Sequence, residues 1–103
     1  MRYQLVLQWP SMLPKNDLDQ LIEIEDLLIE KLTKQNTVDG HDIGSGEMNI
    51  FILTDDPQSC FLEIRTILET GKMWSSLRSA YREIQGDEYT VLWGRNLNDF
   101  RVL

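Results

Sequence analysis

Between residues 39 and 49 the chain gathers Asp39, His41, Asp42, Glu47 and Asn49, and His41 is its single histidine. Carboxylates, an imidazole and a carboxamide are the groups that carry proton transfer or bind a hard divalent cation. Strand alternation decides which of them can cooperate. On one strand Asp39 and His41 point the same way and Asp42 points the other, so Asp39-x-His41 is the one close pair. One imidazole with one or two carboxylates and Asn49 makes an oxygen-rich site and a poor zinc site. The competing reading is structural, with His41 hydrogen-bonded to Asn49 or to nearby backbone so that it stiffens the hairpin. The candidate ligand-binding set is therefore Asp39, His41, Glu47 and Asn49, with Arg82 from a later strand. No metal, cofactor or catalytic residue is assigned.

Other motifs admit plainer explanations. Gly44-Ser45-Gly46 is glycine-rich, but a phosphate-binding loop needs a lysine and a following helix, and here Glu47 opens a strand and would repel an anion. Asp55-Asp56 precedes Pro57 and a helical pattern, which makes it a helix cap before it is a metal pair. Cys60, the only cysteine, falls on the apolar side of that helix, where a buried and inert thiol is expected. Arg78 and Arg82 share one side of a strand and can either neutralise Glu47 or Asp39 or attract an anion. Three tryptophans and three tyrosines point to core filling or a protein interface, because base stacking would also require a positive groove.

These residues need elements to hold them. Gly44-Ser45-Gly46 is expected to reverse the chain between two strands. Pairing Ile43 with Glu47 then places Asp39, His41, Ile43, Glu47, Asn49, Phe51 and Leu53 on one face, and Val38, Gly40, Asp42, Met48, Ile50 and Ile52 on the other. A slip of one residue would exchange the faces. Upstream, Tyr3 to Trp9 alternates as a strand ended by Pro10, and residues 11–16 form a loop. Asn16 or Asp17 caps a helix whose packed stripe is Leu18, Leu21, Ile22, Leu28, Ile29 and Leu32. Ile24 and Leu27 widen that stripe, either at the core boundary or toward another chain. Downstream, Cys60, Phe61, Ile64, Ile67 and Leu68 line a second helix ended by Gly71. Residues 73–77 are either a connector or a strand start. Residues 79–84 and 88–93 form a second hairpin around Gln85-Gly86-Asp87, and Phe100, Val102 and Leu103 are candidates to dock on the body.

The order is strand, helix, strand, strand, helix, strand, with one more strand at the end. It predicts an α+β fold, a ferredoxin-like βαββαβ sandwich with two helices on one face of an antiparallel sheet, and the candidate residues on the opposite, open face. At 103 residues the chain makes one domain, 1–103. Its net charge of −7 argues against a nucleic-acid partner. No apolar run reaches membrane-span length and no signal peptide is visible, so a cytoplasmic setting is expected.

Residues Arg2–Pro10, Val38–Pro57 (VDGHDxGSGExNIFxLTDDP) and Asp87–Trp93 resemble a set of small bacterial proteins of unknown function, over most of the chain. The resemblance implies a compact bacterial cytosolic domain and carries over no catalytic residues. In size and acidity alone the chain is also similar to bacterial immunity proteins that neutralise toxins. The leading expectation is a non-enzymatic protein that works by protein contact, as a homodimer joined through the open sheet face or a sheet edge. The alternatives are a small-ligand or acid-base site around His41, and an acidic inhibitor or immunity protein for a basic partner.

Overall fold

Alternation of Tyr3, Leu5, Leu7 and Trp9 with Gln4, Val6 and Gln8 makes Tyr3–Pro10 a strand, β1, and it occupies the middle of the sheet. The computed structural model describes residues 1–10, 14–44, 46–94 and 100–102, with residues 14–17 described by their backbone alone. The elements after β1 are α1 (Pro14–Lys31), β2 (Asn36–Gly44), β3 (Glu47–Thr54), α2 (Pro57–Leu68), β4 (Arg78–Glu83) and β5 (Thr90–Trp93). All sheet pairings are antiparallel and the order is β2-β3-β1-β4-β5. The fold is α+β, as expected. No helix among the described residues is long and apolar enough to cross a membrane.

Both helices pack on one side of the sheet. Leu5, Leu7 and Trp9 of β1 and Met48, Ile50 and Ile52 of β3 meet Leu21 and Leu28 of α1 and Cys60, Phe61, Ile64 and Leu68 of α2. Trp9 is buried and its indole N–H donates to the Met73 carbonyl at 2.9 Å, which ties β1 to the turn after α2. Trp74, Trp93 and Phe61 close the same end, with the two indoles 5.0 Å apart. The tryptophans are thus used for packing.

α2 starts as its sequence predicts. The Asp56 carboxylate accepts from the Ser59 backbone N–H at 3.1 Å, and Pro57 fills the first turn. α1 departs from expectation in two ways. It begins at Pro14, so Asn16 and Asp17 lie within its first turn and do not precede it. Proline already has the helical φ and no N–H to satisfy, which is why the helix can begin there. Second, Leu21 and Leu28 are buried and Leu32 is half-buried, whereas Leu18, Ile22 and Ile29 are exposed. At 100° per residue these three form a separate stripe, rotated about a quarter turn from the Leu21–Leu28 line. Ser11, Met12, Leu13, Ser45 and Leu103, for which a loop, a turn residue and a docked terminus were expected, lie outside the described residues.

The far face of the sheet is not open throughout. Val6 and Ala80 on that face are fully buried, and Gln8 donates to the backbone carbonyl of Arg101 at 2.9 Å. The Arg101 backbone therefore lies against this face beside Gln8. Phe100 joins it, stacked near Tyr89 and under the Arg78 guanidinium.

Candidate functional site

Gly44 pairs with Glu47, one residue away from the Ile43–Glu47 register expected from sequence. β3 keeps its expected faces, but the downstream half of β2 is turned over. His41 pairs with Ile50 and Ile43 with Met48, so both side chains stand on the helix side, while Asp42 pairs with Asn49 on the far side. The placement of His41 on a polar open face beside Asn49 is therefore corrected. Its cause is a bulge between Val38 and Gly40, which inserts Asp39 as an extra residue and returns Val38 to the core side. Gly40 sits at φ +130°, a conformation glycine alone adopts freely.

The five candidate residues consequently separate. Asp39 is exposed at the bulge. His41 meets α1: its Nδ1 lies 3.1 Å from both carboxylate oxygens of Glu25, so the ring N–H donates into the carboxylate. Glu47 and Asn49 are buried together on the far face. Arg82 shares that face two strands away, and pairs with Gln4 at the end of β1 remote from Pro10, the partner of Glu47. Its Nη1 donates to the carbonyls of Glu83, Ile84 and Gly86 at 3.1, 2.9 and 3.2 Å, fastening the turn after β4. Arg82 neutralises neither Glu47 nor Asp39.

Gln8, Glu47 and Asn49 make a closed polar cluster. The Gln8 amide donates to Glu47 Oε2 at 2.7 Å, to Asn49 Oδ1 at 3.1 Å and to the Arg101 carbonyl, and the Asn49 amide donates to the same Glu47 oxygen at 2.9 Å. Asn49 has no exposed surface, and no buried side-chain polar atom among the described residues lacks a partner. Such a cluster ties β1 and β3 to each other and to the Arg101 backbone. Nor do the described residues gather three or more His, Cys, Asp or Glu side chains suited to a metal ion.

Glu25 of α1, a residue the sequence analysis did not single out, is the side chain that His41 meets. Glu25 lies in the stripe of Leu18, Ile22 and Ile29, four residues before Ile29, and that spacing was the available signal. Among the described residues β2 is an edge strand, paired to β3 on one side, and α1 packs against it. Leu18, Ile22 and Ile29 of that stripe and Ile43 of β2 are respectively 46, 37, 61 and 37% exposed, an apolar strip on the two elements that the Glu25–His41 pair joins. A comparison of the chain with protein-family models, curated proteins and solved structures finds no match.

Proposed function

We propose that the protein is a non-enzymatic contact module that forms a homodimer through the flank of α1 and the edge of β2. The observation that carries this reading is the strip itself: Ile29 is 61% exposed in a helix whose neighbouring stripe is fully buried. The one carboxylate within the strip, Glu25, already has His41 as its hydrogen-bond partner, so covering the strip does not leave that carboxylate without a donor. A twofold axis across it sets α1 antiparallel to its copy, with Ile29 of one protomer against Leu18 and Ile22 of the other. Strand pairing between copies is confined to the residues past the bulge, because the bulge and Asp39 blunt the rest of the edge.

The order β2-β3-β1-β4, with both crossover helices on one face, supports reading the body as a ferredoxin-like βαββαβ sandwich to which β5 adds an edge. A cytoplasmic setting accords with the lone, buried Cys60. The test is light scattering at micromolar to millimolar concentration. Ile29→Glu should convert a dimer to a monomer, while Leu62→Glu, at the 64% exposed leucine of α2, should leave the dimer intact. A wild-type protein that stays monomeric, or a dimer lost only with Leu62→Glu, would overturn the reading.

A further inference from the structure

Glu25 lies on the stripe that the proposed homodimer covers, one turn from both Ile22 and Ile29. With Ile29 of one protomer against Leu18 and Ile22 of its copy, the antiparallel pairing of α1 has its midpoint close to Glu25. The two Glu25–His41 pairs then meet across the twofold axis. Each still has solvent to lose, since the Glu25 side chain is 13% exposed and that of His41 33%.

Charge decides what that meeting costs. While the imidazole is neutral, its ring N–H donates to Glu25 and the pair carries one negative charge. Association then sets two like charges beside each other as water leaves. One proton taken by each imidazole brings each pair to zero net charge and turns its hydrogen bond into an ion pair. It also lowers the repulsion between two copies of net charge −7. Histidine is the side chain that makes this change between about pH 5 and 8, and His41 is the single one in the chain.

The surroundings hold no competing partner for that proton. From α1 the ring meets Glu25, and the positions one turn either side of it, Leu21, Ile22, Leu28 and Ile29, are apolar. Opposite the ring on β3 is Ile50. On β2 itself Asp39 is exposed at the bulge and Asp42 stands on the far side of the sheet. Among the described residues no other carboxylate reaches ion-pair distance of the ring.

We infer that the Glu25–His41 pair is a proton switch on association: the dimer takes up a proton at each pair and tightens as pH falls from about 8 to 5.5. The switch rests on the homodimer proposed above and adds the condition that controls it.

Sedimentation velocity of the full chain at pH 8.0 and 5.5, at one ionic strength, reads the dissociation constant. It should fall by about tenfold on acidification, about threefold for each of the two pairs, the worth of a modest ion pair. His41→Asn keeps an N–H donor for Glu25 but takes up no proton, and should dimerise without that response. Glu25→Gln leaves a protonated imidazole with no carboxylate, so acid should weaken its dimer. A wild-type dimer equally tight at both pH values, or a full response retained in His41→Asn, would overturn the switch and leave the dimer standing. A chain that is monomeric at both would overturn the dimer and the switch together.

Discussion

At the scale of single residues, Gln8, Glu47 and Asn49 satisfy one another's hydrogen bonds within the fold. Asn49 donates its amide N–H to Glu47 and accepts from the Gln8 amide at its Oδ1, and truncating it leaves two buried partners short of a hydrogen bond. Asn49→Ala should therefore lower unfolding free energy by about 1–3 kcal/mol, measured by urea titration. A change below the error of that titration would mean that water reaches the cluster. Cys60 illustrates the same economy. Burial, with smaller contributions from the charges of Glu63 and Asp56 and against a hydrogen bond from Thr54, pushes its thiol from 9.0 up to about 12. The folded chain thus keeps a proton that the unfolded chain releases above pH 9. Its stabilising contribution is complete below that pH and is lost as pH rises toward 12. Wild-type stability should fall across this window by up to about 1.4 kcal/mol per pH unit from this group, and Cys60→Ala should flatten the decline.

At the scale of elements, the bulge in β2 is the hinge of the whole interpretation, because it decides which way His41 looks. Gly40 at φ +130° has no atom within 4 Å of where a Cβ would sit, so a substitution there meets backbone strain and not a clash. Gly40→Ala should cost about 1–3 kcal/mol in a urea titration and, by disturbing the bulge, broaden the NMR signals of His41 and Glu25. An unchanged midpoint and spectrum would show that the bulge is not held by glycine. Much of the fold was legible beforehand: alternation placed β1 and the faces of β3, Asp56-Pro57 marked the start of α2, and the two hairpins were found in their places. The β2 register was not, since alternation fixes a strand's two faces but not which residue a turn will pair first. Leu18, Ile22 and Ile29 were misread for a related reason. Helical spacing groups residues into stripes, and α1 carries two adjoining apolar stripes of which only the Leu21–Leu28 line is fully buried. For the candidate site, residue types were legible but their company was not, because Gln8 and Glu25 reach Glu47 and His41 from distant parts of the sequence.

At the scale of the molecule, the second stripe of α1 asks for a partner, and its size sets what strength to expect. Four half-exposed aliphatic side chains per copy contribute about 1 kcal/mol each on burial, or about 8 kcal/mol for both copies. Association costs on the order of 4–15 kcal/mol, so the strip alone sustains at most a weak complex and needs pairing at the β2 edge to reach micromolar strength. Each copy carries a net charge of −7, which opposes association further in dilute salt. The most direct test is an isotope-filtered NOE experiment on a mixture of labelled and unlabelled protein at millimolar concentration and moderate salt. The account predicts intermolecular contacts from the Ile29 methyls to those of Leu18 and Ile22. A monomeric sample, or intermolecular contacts confined to Leu62 and Ile84, would contradict it.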